Sequence, residues 1–321
     1  MLKNIFLILL GGCSFGILST FVKLAYGHGF SLADVTSAQA YFGALILWSI
    51  LIIFKLFSPS PKAISATISA KAPQNREKTV MYLILTGMTS GCISICYYKC
   101  VQLLPASIAI ILLMQYTWIS MLLERLIFKK PLGALQLGCL AIILVGTLLG
   151  SGIVNNAHLD YRLPLEGIVY GLLAGFFYAV FILSNGYVGN YLPAIQKSSW
   201  IVLGVCVMIM VVFPPFAPLR QLYLSEGHAL WAFIREISLW GLLLGFFGMV
   251  LPPLLFAIAI PKTGVALSSI LGSVELPTAA ICAYFILGET ITWIQLIGIL
   301  LILVSIILIN LRSKKITQAI K

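Results

Sequence analysis

Acidic side chains are scarce in this sequence, nine among 321 residues, and Asp34 and Asp160 are the only aspartates. Charged residues of both signs make up 9% of the chain, against about 25% in a soluble domain, which excludes a water-facing surface of ordinary size. Histidine occurs only at His28, His158 and His228, all between apolar runs. An intramembrane enzyme needs acid and base groups that converge at membrane depth, so the sequence argues against that class. A Gly-rich phosphate loop is also missing, which argues against ATP hydrolysis as an energy source. Long polar segments are few: the longest, 58–78 and 214–237, run to about two dozen residues, too little surface for a receptor or scaffold. The seven cysteines show no zinc-ribbon spacing, and although Cys92, Cys96 and Cys100 share one helix face, no His or carboxylate is grouped beside them. They read as small packing residues, and no metal or cofactor is implied.

What the chain has in abundance is apolar side chains, 61% of residues, with a mean hydropathy of +1.08. Apolar runs fall at 5–26, 35–57, 79–100, 105–123, 132–152, 164–185, 196–214, 238–260, 264–287 and 290–311. At about 20 residues per crossing these predict an all-α polytopic membrane protein with ten transmembrane helices. The first run is long and no small-residue cleavage site follows it, so it reads as a retained anchor. Within 214–237 the spacing of Trp231 and Ile234 against His228 and Arg235 predicts a short helix lying on the membrane surface.

Lys and Arg exceed Asp and Glu by eleven, but they sit scattered at helix ends and form no basic face for nucleic acid. Their distribution is a topology signal. With both termini cytoplasmic, fifteen of twenty fall inside, including Lys55, Lys62, Lys71, Arg125, Lys129, Lys130, Lys197 and Lys262. Lys23, Lys99, Arg162, Arg220 and Arg235 remain outside. The expected location is the plasma (inner) membrane.

The two halves resemble each other. Gln115-x-Thr117, Phe128-Lys129 and Gly138 before an Ile/Leu/Val run return 160 positions later as Glu275-x-Pro277, Gly288-Glu289 and Gly298. Five helices per copy is odd, so the second copy enters the membrane from the opposite side. The expected repeats are 1–153 and 164–321.

The opening helix with Cys13, Ser14, Gly16 and Lys23, and the stretch from Val265 through Glu275, Pro277 and Gly288-Glu289 to Gln295 and Gly298, resemble the EamA-type drug/metabolite transporters over essentially the whole chain. Gln39 stands where members often carry an arginine, Lys129-Lys130 replaces a usual Gly-Glu pair, and the Glu-Pro pair is spread to Glu275-Leu276-Pro277. The resemblance implies two inverted repeats around a midplane cavity. It also implies ATP-independent export or exchange of small metabolites such as amino acids by alternating access, driven by a coupling proton or a counter-solute.

Glu275 is the deepest acidic residue, and an ionised carboxylate at the bilayer centre costs about 2.5–3.5 kcal/mol on insertion scales, so it should face a cavity. Either it binds the solute or a proton, or it caps the turn at Pro277. Lys23 either binds or snorkels to the interface. Tyr98, Gln115, Tyr116 and Tyr178 offer neutral hydrogen bonds. Pro252-Pro253 should kink or break the eighth helix and serve as a hinge. Lys99, Glu124 and Arg125, near helix ends, read as solvated heads, and the Gly-xxx-Gly pairs at 12/16, 87/91, 146/150, 171/175 and 241/245 as close helix contacts. The sequence leaves the oligomeric state open.

Overall fold

A computed structural model describes residues 2–57, 76–104, 106–130, 132–150, 164–213, 227–288 and 291–319, all helix and short turns. The ten helices are α1 (Leu2–Gly27), α2 (Leu32–Phe57), α3 (Arg76–Leu103), α4 in two segments (Ala106–Met114 and Tyr116–Phe128), α5 (Ala134–Gly150), α6 (Leu165–Tyr187), α7 (Ala194–Val212), α8 (Gly227–Gly245 continuing to Thr263), α9 in two segments (Val265–Gly272 and Glu275–Leu287) and α10 (Trp293–Ala319). Eight helical stretches are long and apolar enough to cross a membrane, and Ala134–Gly150 and Trp293–Ile309 are shorter apolar helices. Large apolar side chains point outward from most of them, among them Phe6, Leu45 and Phe285. Such a surface suits lipid, not water.

Local chemistry sets the helix ends. Before α2, the Asp34 carboxylate accepts from the Ser31 amide (2.9 Å) and hydroxyl (2.6 Å), while the Asp34 amide donates to the Ser31 hydroxyl: a reciprocal capping box. The starts of α5 and α10 match across the repeats, with Gln136 accepting from the Gly133 amide and Gln295 from the Thr292 amide, both at 2.9 Å. The ends of α4 and α9 match too. Gly288 closes α9 at φ +68° and Lys129 closes α4 at φ +53°, the one non-glycine at positive φ among the described residues. Lys129, not Phe128, is thus the counterpart of Gly288, and the sequence register slips by one residue there.

Both helices break at the same level, α4 at Gln115 and α9 at Ser273–Val274. In α9 the cause is Pro277, which has no N–H to give the Ser273 carbonyl. The Leu276 amide takes that carbonyl instead, at 3.3 Å.

Packing obeys a two-fold relation between helix n and helix n+5. The pairs α3·α7 and α8·α2 are equivalent, as are α3·α6 with α8·α1 and α4·α6 with α9·α1, while α5·α10 and α2·α7 map onto themselves. The halves are therefore inverted repeats, and the extensive contacts run between them. Glycine makes the approaches possible. A Cβ on Gly16 of α1 would stand 2.6 Å from the Glu275 carbonyl at the α9 break, and one on Gly175 of α6 would stand 2.9 Å from the Leu112 carbonyl at the α4 break. Gly87 and Gly204 bring α3 and α7 together, Gly43 and Gly245 bring α2 and α8 together, and Gly298 meets Gly146 and Gly150 between α5 and α10.

Two sequence expectations are corrected. Pro252-Pro253 does not break α8: they lie in the first turn of a continuing helical segment, Leu251–Thr263. The π-helical turn Phe246–Val250 just before them absorbs the missing donors, with the Leu251 amide reaching back five residues to the Phe246 carbonyl. The Phe247 carbonyl, freed by this shift and by the absent Pro252 N–H, accepts the Ser14 hydroxyl of α1 at 2.6 Å. In place of a short surface helix followed by a separate span, helix runs unbroken from Gly227 to Gly245. Residues 214–226 and Glu289 lie outside the described residues.

Candidate functional site

The two breaks, the π turn and α3 surround a midplane cavity. Glu275, first residue of the second α9 segment, projects into it and is 5% exposed. The Tyr178 hydroxyl lies beside this carboxylate, but among the described residues neither it nor Glu275 Oε2 makes a hydrogen bond of good geometry. Tyr97, Tyr98, Tyr116 and Tyr178 all lie within electrostatic reach of the carboxylate. The Tyr178 ring packs on Tyr116 at 4.2 Å and meets the edge of Phe15 at 5.8 Å. Tyr98 donates to Gln39 Oε1 at 2.8 Å. Gly248 of the π turn makes room for that amide, since a Cβ there would collide with it.

The sequence candidates separate accordingly. Glu275, Tyr98 and Tyr178 line the cavity. Tyr116 packs behind Tyr178, with its hydroxyl 3.5 Å from the Ser269 carbonyl. Gln115 is used by its own helix, its Nε2 donating to the Ile111 carbonyl at 3.0 Å and its Oε1 accepting from the exposed Trp118 at 2.8 Å. Lys23 lines a second, larger adjoining cavity, which shares Ser19 and Tyr97 with the first. Gln39 and Phe181 also line the midplane cavity, and the sequence carries no local signal for either: the partner of Gln39, Tyr98, is 59 positions away.

Glu124 is not a solvated head. It is 4% exposed and ties three helices together. Its Oε1 accepts from the Tyr187 hydroxyl of α6 at 2.6 Å and lies 3.4 Å from Lys130 Nζ, and its Oε2 accepts the Ala266 amide at 3.2 Å. Ala266 is the second residue of α9, so the carboxylate serves one of the unpaired amides at a helix start, where negative charge is favoured. Phe128 stacks on Tyr187 at 3.7 Å, and Lys130 lies over the same ring. Tyr187, and then Glu124, hold the Lys130 ammonium above the usual lysine value. Deeper in, the Ser120 and Ser269 hydroxyls join α4 to α9 at 2.6 Å. Lys197 is not solvated either: 1% exposed, it donates to the Asn185 carbonyl (2.6 Å) and Asn190 Oδ1 (2.9 Å) at the end of α6.

The two-fold relation fails between the two ends of the bundle: the Leu251–Thr263 segment of α8 packs on α6, while α3 and α1, the equivalent pair, make no comparable contact among the described residues. The first segment of α9 packs on the second segment of α4, on α5 and on α6. The equivalent partners of the first α4 segment would be the second α9 segment, α10 and α1, and no comparable contact forms among the described residues. The larger cavity lies there instead, with Ile110 on one side and Ala279, Ala280 and Ala283 on the other. The midplane cavity thus opens toward the Lys23 end and is closed at the Glu124 end.

A comparison with curated proteins finds no match. A solved crystal structure 12% identical to this chain, covering 97% of it and 98% of its own length, superposes with a TM-score of 0.68, a likeness of fold. The EamA-like transporter family matches twice, over residues 2–152 and again over 165–311. With both halves matched and ten membrane-suited helices in two inverted repeats, this chain is a multi-pass transmembrane transporter and belongs to the EamA-like transporter family.

Proposed function

We propose that this protein moves small metabolites such as amino acids across the plasma membrane, as an exporter or exchanger, by alternating access and without ATP hydrolysis. The observation that carries the reading is the broken symmetry: one cavity, open at the Lys23 end and latched at the Glu124 end, between repeats whose most extensive contacts are two-fold related. The opposite state exchanges the two ends. The first α4 segment closes on α9, α10 and α1, while the first α9 segment leaves Glu124 and Tyr187.

In this reading Glu275 and Lys23 take charged parts of the solute or a coupling proton, Tyr98 and Tyr178 supply hydroxyls or ring faces, and Tyr116 backs the Tyr178 ring. Gln115, held by Ile111 and Trp118, acts at the α4 break instead of on the solute. The Pro252-Pro253 segment with its π turn is a hinge, because a turn already relieved of two donors bends at little cost. The repeats are 1–153 and 164–321. Both termini are cytoplasmic, on the Lys/Arg distribution, which puts Lys23 at the outer mouth. The test is counterflow in proteoliposomes: vesicles preloaded with a cell metabolite extract should exchange solutes only when they contain the protein. Absence of exchange refutes the carrier and leaves a scaffold.

A further inference from the structure

The midplane cavity combines three features that together select a ligand chemistry. It holds one carboxylate, Glu275, whose Oε2 makes no hydrogen bond of good geometry among the described residues. Its other walls are rich in aromatic rings, with Phe15, Tyr97, Tyr98, Tyr178 and Phe181 from α1, α3 and α6. The rings are mutually oriented, Phe15 edge-on to Tyr178 at 5.8 Å and Tyr178 tilted 44° to Phe181 at 6.3 Å, so ring faces and edges turn in different directions around the space. No cationic side chain is among the residues that line it.

A negatively charged group among ring faces attracts a cation twice over, through the carboxylate and through the negative faces of the rings. An anion meets repulsion from both. A neutral solute can hydrogen-bond to the Tyr178 hydroxyl without disturbing the Tyr98–Gln39 pair, but it gains nothing from the charge of the carboxylate or from the negative ring faces. Resting on the carrier reading above, we infer that the transported solute presents a positively charged nitrogen, an amine or a quaternary ammonium, to Glu275 inside this aromatic box. Inorganic cations fit less well. They need several oxygen ligands, and the cavity offers one carboxylate with hydroxyls of which Tyr98 is already engaged.

A matched set of probes tests this with the full-length protein in detergent: 2-phenylethylamine, 2-phenylethanol and 3-phenylpropanoate share a ring and a similar length and differ in charge, and tetramethylammonium tests charge and ring faces without an N–H. Calorimetry should rank the amine above the alcohol, the alcohol above the carboxylate, and detect tetramethylammonium. Glu275→Gln should weaken the amine by about tenfold or more, and Tyr178→Leu by several-fold, on the scale of a desolvated cation with a ring face. Alcohol or carboxylate binding as tightly as the amine overturns the inference, and this ranking needs no variant to fold. Equal binding by Glu275→Gln, with an unchanged melting temperature, also overturns it. The counterflow vesicles separate the two readings: exchange confined to solutes without a positive nitrogen overturns this inference and leaves the carrier standing, whereas no exchange of any solute removes the carrier itself.

Discussion

If the Glu124 cluster holds one end of the cavity shut, weakening it by known amounts should open that end by known amounts. Tyr187→Phe removes one 2.6 Å hydrogen bond to a buried charged acceptor and keeps the ring that stacks on Phe128. Such a bond contributes about 1.5–3 kcal/mol. At about 1.4 kcal/mol per tenfold, the ratio of closed to open states should fall by roughly ten- to a hundredfold. Glu124→Gln should act at least as strongly, since the amide carries one acceptor oxygen where both the Tyr187 hydroxyl and the Ala266 amide need one. Lys130→Ala should do little, because that side chain is 55% exposed and an exposed ion pair contributes about 0–1 kcal/mol. The assay is a single cysteine at Val265, 1% exposed, in a background with the seven native cysteines replaced, labelled by a membrane-impermeant thiol reagent applied from the latched side. Labelling should accelerate in the order Lys130→Ala, Tyr187→Phe, Glu124→Gln. Equal rates in Glu124→Gln and the parent, with both proteins folded, would refute the latch, as would a larger effect from Lys130→Ala than from Tyr187→Phe.

Three further outcomes are expected. Gly204→Ala places a methyl 2.9 Å from the Gly87 Cα, where backbone cannot yield, and should cost about 1–3 kcal/mol, read as a lower melting temperature in detergent, while Gly138→Ala, with nothing within 4 Å of its new methyl, should be neutral or slightly stabilising. Glu275→Gln should reach the membrane at normal levels and lose most transport, and wild-type flux should fall on acidification as the carboxylate takes a proton; normal flux from the variant at every pH sinks the role given to Glu275. A reporter fused after Gln74 should lie in the cytoplasm and one after Asn155 outside it, and two reporters on the same side would reverse the assigned topology.

The ten crossings were legible because lipid imposes one requirement on every residue of a span, and hydropathy records it directly. The duplication was legible at the α4 and α9 turns for a similar reason: the same backbone geometry recurs, down to the glutamine caps at Gln136 and Gln295. Glu124 was misread because its partners, Tyr187 and Ala266, are 63 and 142 positions away, and a carboxylate one turn from a helix end looks the same in sequence whether water or an amide receives it. Lys197, counted on the cytoplasmic side for topology, has its role hidden in the same way, because the Asn185 carbonyl it closes on belongs to another helix. The double proline pointed to a real irregularity without fixing its form. Two missing donors can be met by a break or by a wider turn, and the choice depends on Ser14 of another helix being there to take the freed carbonyl.

The glycines that seat α1 on the α9 break and α6 on the α4 break have a consequence for how such a chain can be divided. Each five-helix copy holds the socket for a helix of the other, and within one copy neighbouring helices touch only lightly. A copy is therefore an inheritable unit of sequence without being a unit of folding. Severed at the linker between α5 and α6, neither piece would have a core to collapse onto, yet the two expressed together in opposite orientations would have every socket filled. The geometry that lets one gene encode both halves is the same geometry by which two ancestral copies could first have paired as an antiparallel dimer.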